Sequence, residues 1–483
     1  RIRRLARMGA TTYLEKREAL GWPLLKTVAE DTVSEEAPAQ APEVSGPSEL
    51  FVEIGAEEIP AGFIEPALGW MKDRLSKRIE EEGLARGPIH TAGTPRRLAI
   101  WVENLQARQT DQEQILTGPP ARIAFDEDQN LTRAALGFAK KQGIEPSELY
   151  RLETDRGEYL AARITKHGRA TAELLPKLIE ELIAGIPFRK SMRWGRGTTS
   201  FARPVHWICA LYGGQLIKTG FADVKSGTVT YGHRFQAPGV IEVSSAGQWQ
   251  EALRQAHVET DIETRRQTIQ TQLAQLASEA GGRAVEDPAL IAEVANLCEA
   301  PWGQLGTFDQ SYLELPSEVL NTSMRSHQRY FAIEDSHGKL MPCFVAFNNT
   351  RVHDPGVVAR GHERVLRARL HDGRFFYNED RKSSLQSRVS MLERVTFLGD
   401  LEKVGARTDL AGRTERIESI ARVVCQAAYN DPEVSAHAAR AARLSKADLA
   451  TLMVGEFPDL QGIVGADYAA HDNEASQVAV AIG

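Results

Sequence analysis

Between Leu182 and Ala222 the chain carries Arg189, Lys190, Arg193, Arg196, Arg203 and Lys218 and not one Asp or Glu. Phe188, Trp194, Phe201 and Trp207 are interleaved with these cations, and Gly195 and Gly197 let a backbone come close to a ligand. Guanidinium forks hold phosphates in pairs of bonds, and aromatic faces accept unstacked bases. The segment therefore reads as a candidate nucleic-acid surface. The same pattern also describes a solvated loop whose arginines pair with acids elsewhere in the fold.

A second basic run extends from Arg360 to Arg388 through Arg364, Arg367, Arg369, Arg374, Arg381 and Lys382. Glu363, Asp372, Glu379 and Asp380 dilute it, and pairing along one helix would account for much of the pattern. Smaller candidates are Arg96 and Arg97 after Pro95, His233 with Arg234, and Arg325, His327, Gln328 and Arg329 ahead of an expected strand. Each suits a phosphate oxygen, and each suits a helix cap or a polar pocket. Glu57 and Glu58 beside Pro60 have no further ligand nearby in sequence, so helix N-terminal capping is expected of them rather than catalysis.

Several chemistries are missing. The sequence has no GxxxxGK[ST] phosphate loop, no GxGxxG after a strand, no HExxH and no GxSxG elbow. HIGH and KMSKS are absent too, and Phe188-Arg189 lacks the Glu that would follow in a class II ATP-binding strand. Cys209, Cys298, Cys343 and Cys425 are too scattered for a metal knuckle or a disulfide framework, so they are expected to be reduced and mostly buried. A formal net charge of −7 means that any anion-binding surface must be local. No apolar run is long enough to cross a bilayer, and a cytoplasmic location is expected.

The elements that must position these residues follow from periodicity. The segment ATTYLEKREALGWPLL has helical spacing up to Pro23. Residues 27–48 hold five acids, Pro38, Pro42, Pro47 and no aromatic residue, the composition of a linker that cannot offset the entropy of ordering. ELFVEIG reads as a strand, and Phe63, Ile64, Ala67, Leu68, Met71, Leu75 and Ile79 form one helical stripe. RLAIWVE alternates as a half-buried strand would, and Leu174, Leu175, Leu178, Ile179, Leu182 and Ile183 mark another helix. Residues 330–348 read as a hairpin around Asp335–Gly338, with helices beyond Asp354. The fold class expected is α+β and multidomain.

Seven stretches, taken in order, carry a family resemblance: FVEIGAEEIPAGFIEPAL, TPRRLAIWVENL, MRWGRGTTSFARPVHWICAL, YGHRF, LPSEVLNTSMRSHQRYFAI, ERVLRARLHDGRFFYNEDRK and KADLATLMVGEFPDLQGIVG. Together they resemble the β subunit of bacterial glycyl-tRNA synthetase from residue 50 to about 465, and the opening YLEKREALGWPLLK is similar to the end of the α subunit. The resemblance implies an α tail over 1–26 and an acidic linker over 27–48. It further implies an α+β domain like the editing-type region of the phenylalanyl-tRNA synthetase β chain over 49–325, a hairpin and basic helical region over 326–399, and a degenerate HD-like helical domain over 400–483. Two further family domains, one shared with CCA-adding enzymes and one that binds anticodons, would lie beyond residue 483.

The function implied is the tRNA-gripping half of a glycine–tRNA ligase, with tRNA(Gly) and the α part as partners and a dimeric assembly of α–β units. ATP and Mg would be used by the α part, and this chain would bind no cofactor. No catalytic and no metal-binding residue is expected, because Ser445 and Lys446 stand where an HD phosphohydrolase has its His-Asp pair, and an ammonium repels a cation. The candidate tRNA contacts are Arg96, Arg97, Arg189, Lys190, Arg193, Arg196, Arg203, Arg234, Arg329, Arg364, Arg367 and Arg369. His362 replaces an Asn usual in the family, and Gly373 replaces an alanine. Rival readings are a hydrolase, either editing or HD-type, and a scaffold for the α part.

Overall fold

The computed structural model describes residues 2–20, 43–126, 130–155, 157–195, 197–397, 409–429 and 431–483. Arg196, residues 21–26 of the expected α tail and residues 27–42 of the expected linker lie outside them. The chain divides into two compact units, Arg1–Glu43 and Val44–Gly483. In the first, Ile2–Ala19 is one helix that begins well before the stretch expected from sequence, and Leu5, Met8, Tyr13 and Leu14 on it are exposed.

The second unit opens with the strand Ser48–Ala56, already formed at the last residue assigned to the linker. It runs antiparallel to Arg97–Leu105 on one side and to Val205–Tyr212 on the other, at the centre of a seven-stranded sheet. Leu50, Val52 and Ile54 face one side, with Phe51 and Glu53 on the other, and all five are buried. Both faces of the sheet are therefore covered. On one, the helix Ala61–Glu81 packs against strands Ile89–Thr94 and Arg97–Leu105 through its expected stripe, and Gly93 leaves room for Ile64 and Leu68. Burying each large apolar side chain of such a stripe contributes roughly 1.5–3 kcal/mol before the entropy of ordering. On the other face, Trp249 from the helix Ala246–Gln255 packs against Phe51 at 5.2 Å between centroids. That second layer corrects the half-buried reading of RLAIWVE: Ala99 is as buried as Leu98 and Ile100.

A three-stranded sheet, Gln112–Pro120, Leu149–Thr154 and Gly157–Lys166, is inserted after the Arg97–Leu105 strand with its own small core around Ala135 and Leu160. The expected hairpin is present as Phe331–Glu334 and Leu340–Asn348. It is not a separate element, because its strands pair with Arg283–Ala284 and Trp302–Thr307 in a four-stranded antiparallel sheet. The 325/326 border drawn from the sequence falls inside this sheet. Strand alternation decides its two faces: Phe331, Ile333, Cys343 and Val345 pack under the helices Ile262–Glu279 and Pro288–Ala295, while Ala332, Phe344 and Ala346 join a second core. That second core continues through Leu366, Leu370, Leu444 and Phe457 to Ile482, so one buried cluster also spans the 399/400 border. The observed architecture is α+β. Cys209, Cys298 and Cys343 are buried free thiols, and Cys425 is free and half-buried.

Candidate nucleic-acid interface

The 182–222 segment separates its residues by type. Phe188 stacks on Phe63 at 5.9 Å and meets Phe201 edge-on at 4.8 Å, and Phe201 in turn meets Phe221 at 5.7 Å. Trp207 lies flat against Gly55, where a Cβ would come within 1.9 Å of the indole, so only glycine fits beneath it. Phe201 and Trp207 are core, which corrects their reading as base-stacking platforms, while Phe188 and Trp194 are only partly covered. They root a short hairpin, Met192–Arg193 against Ser200–Phe201, with Gly195 at φ 59° in its turn. The cations point the other way. Arg189, Lys190 and Arg193 are exposed, and none has an ion pair or side-chain hydrogen bond among the described residues. Arg203 is half-buried and donates to the Ala202 carbonyl oxygen at 2.9 Å.

Arg97 must be removed from the candidate contacts. Its side chain is 0% exposed, donating from Nε to Glu299 at 3.1 Å and from Nη1 to Glu53 at 3.3 Å and to the Tyr231 carbonyl oxygen at 2.9 Å. Burial pushes the Glu53 carboxyl above its usual range despite Arg97. Burial acts on Glu299 in the same sense, but there Arg97, Thr94 and Arg96 together outweigh it and hold the carboxyl low. A charged residue inside the apolar run FVEIGA was the one sequence signal for this site. Its second carboxylate, 202 residues from Arg97, gave none.

Neighbouring candidates are also bound to the fold. Arg96 is half-buried over Trp207 at 5.6 Å, and burial lowers its pKa. Arg234 donates to Glu57 at 2.7 Å, which raises its own pKa and holds the Glu57 carboxyl low. Glu57 also bonds His206 at 3.1 Å, and Pro60 takes the N-cap position of helix Ala61–Glu81 with no side-chain cap, so the capping expected of Glu57 and Glu58 is not what they do. Arg329 is paired with Glu293 at 2.7 Å, and Arg325 with Asp287. For these residues the structural reading prevails.

The second basic run lies mainly on one 26-residue helix, Pro355–Asp380, capped by Asp354. Leu366, Leu370, Gly373 and Tyr377 form its buried stripe. Arg360, Arg364, Arg367 and His371, spaced i, i+4, i+7 and i+11, form an exposed stripe to one side of it. The expected pairing along the helix does not neutralise that stripe. Glu363 instead accepts from the Thr307 backbone and hydroxyl at 2.9 Å, and Arg360, Arg364 and Arg367 are exposed without an ion pair among the described residues. Arg369 reaches Glu456 at 3.7 Å, and Arg374 lies over Tyr312 at 4.6 Å. The surviving candidates are thus two exposed cation groups suited to a polyanion; the stretch that carries the first has no acid in its sequence, whereas Asp309 and Asp372 lie near the second. Among the described residues no group of three His, Cys, Asp or Glu side chains is placed to hold a metal ion. Ser445 Oγ donates to the Ala442 carbonyl oxygen at the end of helix Pro432–Leu444. No helix of the described residues is long and apolar enough to cross a membrane.

Comparison with known proteins adds a family. The sequence model for the glycyl-tRNA synthetase beta subunit matches residues 50–483. The chain is 45% identical over 434 residues to the glycine–tRNA ligase beta subunit of Geobacter metallireducens, covering 90% of this chain and 62% of that one. It is 46% identical over 436 residues to that of Anaeromyxobacter dehalogenans and 45% identical over 434 residues to that of Myxococcus xanthus, each covering 90% of this chain and 61% of the relative. The chain therefore spans about six tenths of the length of these curated relatives.

Proposed function

Since the chain belongs to the glycyl-tRNA synthetase beta subunit family, we propose that it binds tRNA(Gly) and holds it for aminoacylation by an α part. The overall reaction would be ATP + glycine + tRNA(Gly) → glycyl-tRNA(Gly) + AMP + diphosphate, with ATP and Mg handled by the α part in the cytosol. The observation that carries this reading is the acid-free stretch of Arg189, Lys190 and Arg193 at a hairpin anchored in the core by Phe201, its cations without an ion pair among the described residues. The contribution of the chain is positional: fixing the RNA backbone turns an encounter between acceptor end and activated glycine into an oriented attack. The helix Ile2–Ala19 as an α tail, the editing-type and HD-like assignments, and a dimer of α–β units belong to the same proposal and rest on resemblance.

Filter binding of tRNA(Gly) across a salt series tests it. Each phosphate contact removed lowers the slope of log K against log salt by about 0.9, so three contacts change the loss over a fourfold rise in salt by roughly 40-fold. The triple variant Arg189→Gln, Lys190→Gln, Arg193→Gln should show that flattening with unchanged thermal stability. An unaltered slope would reject the assignment.

A further inference from the structure

Two adjoining cavities, of about 700 Å³ and 320 Å³, share Gln236, His257 and Arg351 and so form one groove. Their size is that of ordinary ligand pockets. None of the candidate contacts of the hairpin or of the Arg360–His371 stripe lines it. Its lining has two unusual aromatics. Phe235 is 74% exposed, and Trp302 is 38% exposed with the Arg351 guanidinium over its ring at 5.6 Å. Exposed apolar surface gathered at one groove is a mark of an interaction site, which singly scattered residues are not.

The loops that carry these side chains are held to one another. Two backbone N–H groups, of Phe235 at 3.3 Å and Gln236 at 3.2 Å, donate to His233 Nδ1, which must therefore present its lone pair. The proton then lies on Nε2, which donates to the Asn349 carbonyl oxygen at 2.6 Å. Asn349 Oδ1 accepts from the N–H groups of Glu299 at 2.6 Å and Ala300 at 3.2 Å. His233 is fully buried, so Phe235, Trp302 and Arg351 each sit within three residues of one bonded node. His257, also on the wall, takes a left-handed φ of 60° as it closes the C-terminus of the helix Ala246–Gln255.

The groove carries charges of both signs. Each carboxylate on its walls is engaged: Glu259 with Arg254 at 3.7 Å, Glu299 with Arg97, and Asp354 with the Val357 N–H at 3.1 Å. Arg351 has no ion pair among the described residues, and His257 and His353 are exposed beside it. An exposed π-face next to an unpaired guanidinium is the combination that takes a base and its phosphate.

We infer that the groove between Phe235, Trp302 and Arg351 is a subsite for an unpaired nucleotide of the bound RNA, its base stacked on Phe235 and its phosphate facing Arg351. The inference rests on the RNA-binding reading and adds to it a preference for single-stranded nucleotides at a place away from the hairpin. Recognition by stacking tolerates any base, so the subsite selects an unpaired strand and not a sequence.

The test uses the full chain and an unstructured RNA pentamer carrying 2-aminopurine, whose fluorescence falls on stacking. The wild-type chain should quench the probe, Phe235→Ala should weaken binding about tenfold, and Phe235→Tyr should keep it. Because Phe235 is exposed, its removal leaves the core intact, which circular dichroism verifies. Equal binding by Phe235→Ala, or equal competition by a duplex of the same sequence, overturns the subsite. So does a change in self-association in place of probe binding, which would assign the surface to a second copy of this chain. The hairpin triple variant separates the two readings: it should keep the pentamer while losing the salt dependence of tRNA binding. If it loses the pentamer while Phe235→Ala retains it, the groove is refuted and the RNA-binding reading stands.

Discussion

Replacing Arg97 by Met removes the guanidinium that bonds both Glu53 and Glu299 and leaves two buried carboxylates without their nearest counter-charge. Breaking a buried ion pair from one side costs about 3–5 kcal/mol, far more than the pair itself contributes. Acid should relieve that cost, and the sign follows from the two carboxyls. In the wild type, Glu299 is held below its usual 4.5, so its contribution is present above that pH and is lost as pH falls through the folded value. Glu53 is held above 4.5, so its burial costs stability as pH rises past that point. Without Arg97 burial is less opposed, with Thr230 left to Glu53 and Thr94 and Arg96 left to Glu299, and both carboxyls take up protons at higher pH.

The destabilisation by Arg97→Met should therefore be largest near pH 8 and shrink toward pH 5. Urea unfolding followed by near-ultraviolet circular dichroism at both pH values reads it. Arg97→Met with Glu299→Met should recover part of the loss, since one charge of each sign then leaves together. A cost below about 1 kcal/mol at both pH values would refute the reasoning. So would a folded Arg97→Met variant whose tRNA binding lost salt dependence, which would make Arg97 the surface contact its sequence context suggests.

Gly373 is buried in the helix Pro355–Asp380, and a Cβ there would meet only Val319 Cγ1, at 3.9 Å. Gly373→Ala should accordingly stabilise by up to about 1 kcal/mol, seen as a raised urea midpoint; a lowered midpoint would mean the site has no room. His362 accepts from the Tyr330 hydroxyl at 2.8 Å and donates to Asn348 Oδ1 at 3.0 Å, and burial keeps its pKa below the usual 6.5. The unfolded chain takes up a proton that this ring refuses, so stability is full above pH 6.5 and falls as pH drops below it. Between pH 7 and 5 the melting temperature should fall more steeply with pH for the wild type than for His362→Asn, and equal falls would exclude the effect.

The local elements were legible because they depend on residues a few positions apart. The stripe from Ile64 to Ile79 set a helix, and the apolar runs around Asp335–Gly338 set a hairpin. The cations at 189–193 were also legible, since an acid-free stretch is a property of the sequence alone. Which face each residue occupies was not. Arg97 and Arg193 are both arginines near strand ends, yet one is sealed by a glutamate 202 residues away and the other stands in solvent. Trp207 and Phe201, stacking candidates by sequence, are covered by Gly55 and Phe221, while Phe235 of the YGHRF stretch is the exposed ring. Secondary structure answers to short-range periodicity, whereas burial and charge pairing are fixed by long-range neighbours. Only the tertiary fold could therefore divide these arginines and aromatics between core and surface.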